Sequence, residues 1–324
     1  MARPRRPSPP FRHPPIRINS PSRLPSPNGL SSPPPLVHSN GRARRAGFLG
    51  PSSLCPIVGG RRPTTIFGGN FLNRYTGRTV IVAGAGGGIG RAACLRLAAE
   101  GAFVVCMDIS ETRDETAELA AGEGKPAGGG ACPVHLDIAD SQGVKETMAA
   151  AIRDHGPIDA LVNCIGGGQP LASMEIDEAA FDAMFEFNVK SVYRSCWALL
   201  PHMSERKSGK IVNFSSVAGR SASVLQGAHY SSSKAAVIGL TRHLAREFGP
   251  SGVNVNAIAP GVIASPRILA QMTPEQEARA IAATPLGRIG TPEDIAGVVA
   301  FLASEDARHI TGVTVDVNGG FFLS

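Results

Sequence analysis

The chain has 324 residues and a formal net charge of +6, and this charge is unevenly distributed. Residues 1–76 contain 12 Arg and no Lys, Asp or Glu; taking these 12 from the 32 basic residues leaves 20 against 26 acidic ones, so residues 77–324 carry a net −6. The basic character of the whole chain therefore does not favour nucleic acid or an anionic membrane as a partner of residues 77–324, and neither is expected. No apolar run approaches the ~18 residues of a membrane-spanning helix. No cysteine or histidine spacing matches a zinc site, so no metal is expected.

The first 76 residues have the composition of an extension rather than of a folded domain. They hold 15 of the 26 prolines and few large apolar side chains, so we expect disorder over residues 1–76. Two interpretations stay open: a plastid-type transit peptide, because the segment is rich in Arg and Ser and free of acid, or an upstream extension from a mis-called start. The expected location is the cytoplasm, or a plastid under the first interpretation.

From residue 77 onward, short apolar runs alternate with helical patterns. Seven runs predict buried strands: Thr79–Gly84, Ala102–Met107, Val134–Leu136, Ile158–Asn163, Lys210–Phe214, Val253–Ile258 and Val313–Val317. Helical patterns occupy residues 88–100, 141–155, 177–201, 228–248 and 292–303. The alternation predicts one α/β domain over residues 77–324, a doubly wound (Rossmann) seven-stranded parallel sheet flanked by helices. Such sheets bind ligands at the carboxyl ends of their strands.

Two segments of this domain depart from the alternation. Residues 122–130 include five glycines, which predicts a flexible loop before the third strand. Residues 265–284 predict a mobile helical lid over the substrate. Arg267 in this lid is interpreted either as a solvated surface cation or as a contact for an anionic substrate.

A glycine-rich turn joins the first strand to the first helix. From Gly84 the sequence is Gly-Ala-Gly-Gly-Gly-Ile-Gly, and a strand before it and a helix after it give such a motif its meaning. Glycines allow positive φ and close backbone approach. The helix N-terminus offers free N–H groups and a positive dipole end to a pyrophosphate. The turn therefore predicts phosphate binding, although its spacing fits both G-x-x-x-G-x-G and G-x-x-G-x-x-G.

Asp108 follows the second strand, 18 residues after Gly90. A carboxylate at this place accepts hydrogen bonds from the hydroxyls of an adenosine ribose and repels a 2′-phosphate. No Arg or Lys lies in the glycine turn or in the two residues after Asp108. The sequence therefore favours NAD over NADP, with an aspartate near a helix cap as the alternative interpretation.

Tyr230 and Lys234 are spaced to share one face of a helix. A phenol has a pKa near 10, which is too high for proton transfer near neutral pH, and a nearby cation lowers it. The pair predicts a tyrosine that exchanges protons with a substrate. On its own this spacing also fits a surface pair; its place one helix after a strand that ends Asn213-Phe214-Ser215-Ser216 favours the catalytic interpretation.

With these motifs, residues 77–324 resemble the short-chain dehydrogenase/reductase family in its single-domain form. The resemblance assigns cofactor contacts to Gly84, Gly88, Ile89 and Gly90 in the turn, to Asp137 and Ile138 after the third strand, to Asn163, and to Ile263, which follows Pro260-Gly261. It assigns Asn188 and Ser216 to the catalytic group beside Tyr230 and Lys234. The chain departs from the family at Cys164 and Ile165, where the family pattern is N-N-A-G, and at Ser265, where a Thr is usual.

The resemblance also implies a role for each catalytic residue. Tyr230 donates or accepts the substrate proton, and Ser216 hydrogen-bonds the substrate oxygen as charge develops. Lys234 tunes Tyr230 and binds the nicotinamide ribose, Asn188 positions a water that links Lys234 to solvent, and Ile263 binds the carboxamide through its backbone.

The expected activity is that of an NAD(H)-dependent oxidoreductase that interconverts a secondary alcohol and a ketone on a small-molecule substrate. One alternative is a 3-oxoacyl-acyl-carrier-protein reductase that uses NADPH, suggested by the Tyr230 helix and by Pro285-Leu286-Gly287-Arg288. The alternative from another class is a non-catalytic dinucleotide-binding regulator or scaffold. Analogy with the fold predicts a homotetramer.

Overall fold

A computed structural model describes residues 73–223, 225–270 and 272–324. Seven strands form one parallel sheet: β1 (Thr79–Ala83), β2 (Phe103–Asp108), β3 (Gly130–His135), β4 (Ile158–Asn163), β5 (Gly209–Phe214), β6 (Val253–Pro260) and β7 (Thr314–Val317). Their order across the sheet is β3-β2-β1-β4-β5-β6-β7. The order reverses between β1 and β4, and such a reversal leaves a crevice at the carboxyl ends of the strands. The predicted doubly wound sheet is confirmed.

Nine α-helices connect the strands of the described part of the chain. They are α1 (Gly88–Ala99), α2 (Thr112–Gly124), α3 (Ser141–His155), α4 (Glu178–Phe185), α5 (Ser191–Glu205), α6 (Ala228–Phe248), α7 (Pro266–Leu269), α8 (Pro274–Ala282) and α9 (Pro292–Leu302). One π-helical turn, Glu186–Lys190, joins α4 to α5. The single helix predicted over residues 177–201 is therefore two helices with a wider turn between them. Among the described residues, no helix has the length and apolarity needed to span a bilayer.

The sheet carries a hydrophobic core on each face. On one face, side chains of α1 and α9 such as Leu97 and Val299 pack against Val80 and Val104 of the sheet. On the other face, side chains of α3, α5 and α6 surround residues such as Ile81. Both faces of β1 and β4 are covered, which explains why those strands are continuous apolar runs rather than alternating ones.

The glycine-rich segment 122–130 is packed rather than looped, so the prediction of a flexible loop is wrong. Helix α2 runs to Gly124, a short 3₁₀ turn follows at Lys125–Ala127, and β3 begins at Gly130. A Cβ on Gly129 would lie 2.5 Å from the Ala98 carbonyl oxygen. These glycines allow the chain to pass closely against the end of α1, and β3 therefore starts four residues earlier than predicted.

The folded domain also begins before residue 77. Tyr75 is only 2% exposed, and its hydroxyl donates a hydrogen bond to the Ala300 carbonyl oxygen of α9. Arg74 forms a 2.6 Å ion pair with Glu100, which is itself buried. The composition of residues 1–76 places residues 73–76 in the extension, and the burial of Tyr75 corrects that boundary. The rest of the predicted extension lies outside the described residues.

Candidate active site

A cavity of about 760 Å³ lies at the carboxyl ends of the central strands. The glycine turn forms one wall, the segment after β4 and the residues after β5 form the floor, and the segment after β6 forms the roof. The predicted residues that line it are Gly88, Ile89, Gly90, Ser216, Tyr230, Lys234 and Ile263. One space therefore connects the predicted phosphate site to the predicted catalytic group.

The glycine turn is shaped by contacts that no side chain would permit. Gly84 has φ +91°, and a Cβ on Gly90 would lie 1.9 Å from the Gly84 carbonyl oxygen. Helix α1 begins without a side-chain cap and has no acidic residue in its first turn. A Cβ on Gly87 would meet no atom of the described chain within 4 Å. The N–H groups at the start of α1 therefore face open space, which fits a pyrophosphate.

Asp108 supports the glycine turn directly. One oxygen of its carboxylate accepts a hydrogen bond from the Gly86 N–H and the other from the Ser110 N–H, both at 2.9 Å. A carboxylate has about four acceptor positions, so two of these hydrogen bonds leave capacity for ribose hydroxyls. The predicted ribose contact therefore remains possible, whereas Asp108 does not cap α2, whose N-cap residue is Glu111.

Asp137 and Ile138 lie at the end of β3, apart from the cavity lining. Asp137 is exposed, and its Oδ1 atom accepts a hydrogen bond of 2.9 Å from the Ala139 N–H. Ile138 is buried. Because β3 is the edge strand beside β2, these two residues lie beyond Asp108, toward the edge of the sheet.

Tyr230 and Lys234 lie next to each other on one face of the first turns of α6. The Lys234 Nζ atom lies 5.9 Å from the centre of the Tyr230 ring and donates a 3.0 Å hydrogen bond to the Phe214 carbonyl oxygen. Burial lowers the pKa of Lys234 to about 8. Ser216 lines the cavity beside them, whereas the Ser215 hydroxyl turns away and donates to the Lys234 carbonyl oxygen at 2.8 Å.

The pKa of Tyr230 differs in direction from the expectation. Burial raises it, and this effect outweighs the hydrogen bond with Ser216 and the positive charge of Arg267, which both lower it. Lys234 does not contribute to this pKa, because its own pKa of about 8 leaves it neutral at the higher pH at which Tyr230 ionises.

Asn188 lies in the π-helical turn and is fully buried. Its Oδ1 atom accepts a 3.0 Å hydrogen bond from the Gly167 N–H, and its Nδ2 atom donates to the Gly167 carbonyl oxygen at 2.9 Å. A Cβ on Gly166 would lie 2.6 Å from Lys234 Nζ and 2.9 Å from Asn188 Oδ1. The glycine therefore allows the amide and the ammonium to meet at the floor of the cavity.

Asn163 and Ile263 hold their places in different ways. The Asn163 Nδ2 atom donates to Asn213 Oδ1 at 2.9 Å beneath the cavity, and its own Oδ1 atom has no partner among the residues that the structure describes. Its side chain is therefore part of the core and does not line the cavity. Ile263 lines the roof, pairs with Gly290 in a short parallel bridge, and its carbonyl oxygen accepts from the Ser265 N–H at 2.8 Å.

Several cavity residues had no sequence signal. Gln226 comes from the loop before α6 and Phe321 from the last residues of the chain. The predicted lid is helical, as α7 and α8, and Arg267 of α7 lines the cavity. Across the described ranges, no cluster of His, Cys, Asp and Glu could hold a metal ion.

Comparisons with known proteins agree with this geometry. A family model described as enoyl-(acyl carrier protein) reductase matches residues 84–322. The chain is 40% identical over 246 residues to the short-chain reductase protein NovJ of Streptomyces niveus, covering 74% of this chain and 92% of that protein. It is 37% identical over 259 residues to the 7alpha-hydroxysteroid dehydrogenase of Bacteroides fragilis, covering 78% and 97%.

Solved structures show the same architecture. A 3-oxoacyl-[acyl-carrier protein] reductase with bound NAD from Brucella melitensis superposes with a TM-score of 0.69 at 33% identity, covering 81% of this chain and 99% of that one. The family binds NAD(P) and its members are oxidoreductases that act on hydroxyl and keto groups. The chain belongs to the short-chain dehydrogenase/reductase family.

Proposed function

We propose that this protein uses NAD(H) to interconvert a secondary alcohol and a ketone, with Tyr230 as the general acid and base. The observation that carries the proposal is the single cavity that joins the glycine turn to Tyr230, Ser216 and Lys234. A dinucleotide held at the start of α1 reaches the catalytic group without leaving this space.

The residues present fit a nicotinamide dinucleotide. The uncapped start of α1 holds the pyrophosphate, Ile263 offers its backbone to the carboxamide, and Lys234 binds the nicotinamide ribose. When bound, the cofactor supplies or accepts a hydride. NAD is favoured over NADP by the Asp108 carboxylate beside the glycine turn, and the relative from Brucella melitensis was solved with NAD.

The side chains of this protein then control the proton and the substrate oxygen. Ser216 donates a hydrogen bond to that oxygen, and Tyr230 gives it a proton in reduction or removes one in oxidation. Lys234 lies beside the Tyr230 ring, and its protonated form favours the phenolate that forms when Tyr230 gives up its proton. Asn188 fixes the Gly167 peptide and positions the water that connects Lys234 to solvent.

Replacing Tyr230 by Phe tests the proposal. The variant keeps the buried ring and loses only the hydroxyl, so we expect kcat for ketone reduction to fall by about 10²–10⁴-fold while NADH binding is retained. The matched control is Tyr193→Phe, which removes the hydroxyl of an exposed tyrosine on α5. Unchanged turnover in Tyr230→Phe overturns the assignment.

One alternative has a specific observation behind it. The matched family model and the Brucella melitensis relative both bear acyl-carrier-protein reductase names. A 3-oxoacyl thioester reduced with NADPH in preference to NADH identifies that activity. The non-catalytic alternative is disfavoured because Ser216, Tyr230, Lys234 and Asn188 are all in place around the cavity.

Assembly and location remain proposals. We propose a homotetramer, supported by exposed aromatic side chains along the α4–α5 segment, among them Phe181, Phe187 and Trp197. The molar mass in solution, measured by light scattering, tests it.

N-terminal sequencing of the mature protein decides between a cytoplasmic protein and an imported plastid one. No role with nucleic acid or membrane is proposed.

A further inference from the structure

Three consecutive glycines after β4 lie beneath three polar side chains. A Cβ on Gly166 would lie 2.6 Å from Lys234 Nζ, and one on Gly168 would lie 2.6 Å from Gln226 Oε1. Between them, a Cβ on Gly167 would lie 2.8 Å from both terminal nitrogens of Arg267. This glycine floor, residues 166–168, therefore leads from the catalytic lysine to two polar groups that the catalytic scheme does not use.

The position of Arg267 is defined by the glycine floor. Asn188 holds the Gly167 peptide by both its N–H and its carbonyl oxygen, at 3.0 and 2.9 Å. The Arg267 guanidinium rests on this fixed peptide, and its charge reaches Tyr230, whose pKa it lowers. The guanidinium and the Lys234 ammonium therefore lie over adjacent residues of the glycine floor, Gly167 and Gly166.

Arg267 is exposed and has no counter-charge among the residues that the structure describes. Of the other cations that line the cavity, Arg91 pairs with Glu115 at 2.7 Å and Lys234 donates to a backbone oxygen. Arg267 forms no ion pair and no hydrogen bond with any residue in the described part of the chain. It is therefore available to a ligand that enters the cavity.

The side-chain amide of Gln226 is a second group at this place that lacks a hydrogen-bond partner among the described residues. Its Oε1 atom is buried and has no hydrogen-bond partner within the described ranges, although its own backbone N–H is satisfied by Ser223 Oγ at 2.8 Å. Oε1 is an acceptor, so a bound carboxylate satisfies this amide only when the terminal group turns by 180° and brings the Nε2 N–H donors to the same place. Gln226 and Arg267 come from different elements and meet over adjacent residues of the glycine floor.

We propose that Arg267 and Gln226 bind a carboxylate of the substrate, so that the enzyme acts on oxo acids and the corresponding hydroxy acids. The inference rests on the proposed function. One planar guanidinium matches one carboxylate in charge and in geometry, and the Gln226 amide supplies a further N–H donor. Nearby apolar side chains, Leu225, Ile268 and Phe321, suit a short hydrocarbon chain between the two polar ends.

The carboxylate binds the substrate to the enzyme and takes no part in the reaction. In reduction, the keto carbon gains the hydride of NADH, the keto oxygen gains the Tyr230 proton, and NADH becomes NAD⁺. The acid group keeps its charge throughout, and the Tyr230 phenolate regains a proton from solvent.

The test uses oxo acids of one length, namely 2-, 3-, 4- and 5-oxohexanoate, with their neutral methyl esters. We expect the full-length enzyme to prefer one acid over its ester in kcat/KM. Arg267→Met should lower kcat/KM for that acid by about 10–100-fold, mainly through KM. The esters should change by less than about threefold in KM, and any loss in kcat caused by the higher Tyr230 pKa should be the same for acids and esters. Calorimetric binding of the same acid to the enzyme–NAD⁺ complex, in which no reduction can occur, should weaken by a similar factor.

Three variants serve as comparisons. Arg267→Lys should restore part of the preference, because the charge returns without the planar geometry. Gly167→Ala should reduce the preference, because its methyl group displaces the guanidinium. Arg279→Met removes another lid arginine, which does not line the cavity, and should change nothing.

Two results overturn the proposal. One is that no acid binds the enzyme–NAD⁺ complex more tightly than its ester. The other is that Arg267→Met weakens NADH binding and slows acids and esters alike, which assigns the guanidinium to the cofactor. If an acid binds in an Arg267-dependent manner but none of the eight compounds is turned over, the carboxylate site stands and the proposed function falls.

Discussion

Lys234 is buried, and burial makes its positive charge unfavourable in the folded protein. It is 3% exposed, and burial lowers its pKa from 10.5 to about 8. The unfolded chain therefore binds this proton more tightly between those two pH values. The folding penalty is complete below about pH 8 and disappears as the pH rises to 10.5; at 1.36 kcal/mol for each pH unit it amounts to about 3 kcal/mol.

Replacing Lys234 by Met should make the protein more stable and catalytically inactive. We expect the free energy of unfolding at pH 7, without cofactor, to rise by about 1–3 kcal/mol, because the buried charge is removed and one hydrogen bond to the Phe214 oxygen is lost with it. The gain should vanish near pH 10.5, and turnover should be lost. Urea denaturation at pH 7 and 10.5 measures this, and a less stable variant at pH 7 contradicts it.

Among single residues, Asp108 is expected to set the preference for NADH over NADPH. Its carboxylate accepts from the Gly86 and Ser110 N–H groups and places negative charge beside the expected ribose. Asp108→Asn removes that charge and keeps one acceptor oxygen, so we expect the ratio of NADPH to NADH affinity to rise by about tenfold or more. Fluorescence titration with both cofactors measures the ratio. Asp137→Asn, further along the crevice, is the control and should leave it unchanged.

The glycine turn is an element in which one position admits no side chain. A Cβ on Gly90 would lie 1.9 Å from the Gly84 oxygen, so Gly90→Ala must push α1 away from β1. We expect loss of NADH binding and a free energy of unfolding lower by about 3 kcal/mol or more. Gly122→Ala on exposed α2 meets no atom within 4 Å of its Cβ and should raise stability by about 0.5–1 kcal/mol. Thermal unfolding and NADH titration of both variants measure these effects and show whether the added methyl group or the loss of any glycine is responsible. A Gly90→Ala variant that is stable and binds NADH contradicts the assignment.

Elements with strong local patterns were predictable, and those set by packing were not. β4, α3 and α6 have the predicted bounds because apolar runs and 3.6-residue periodicity are local properties. The π-helical turn at Glu186–Lys190 was not predictable, because it depends on Asn188 reaching Gly167 from another part of the chain. The glycines near residue 124 have the composition of a loop, and only contact with α1 shows why they are packed.

The candidate site divides in the same way. The Tyr230–Lys234 pair and the glycine turn each follow from spacing within one short segment, so the sequence predicts each of them separately. Gln226 enters from a loop, and its contact with Gly168 has no counterpart in sequence spacing. The direction of the Tyr230 pKa also depends on burial, which a motif does not contain.

At the scale of the whole molecule, the residues before β1 are part of the fold. Removing residues 1–72 should leave the free energy of unfolding within about 1 kcal/mol, whereas removing residues 1–76 should lower it by about 3–5 kcal/mol, because the buried Tyr75 ring is lost and Glu100 loses Arg74. Urea denaturation of the two truncated proteins measures the difference. Equal stability of both contradicts the role given to Tyr75.

The glycine floor determines which parts of this active site can diverge. Every single-base change that replaces one of these glycines by another amino acid introduces a side chain, and at positions 166–168 its Cβ meets the end of Lys234, Arg267 or Gln226. A substitution in the floor therefore moves the polar side chains that face the substrate. Arg267, Gln226 and Phe321 stand on loops and a short helix, and each can be exchanged by one mutation. Paralogues of this chain should therefore differ in which acid or alcohol they accept while sharing the same backbone beneath it.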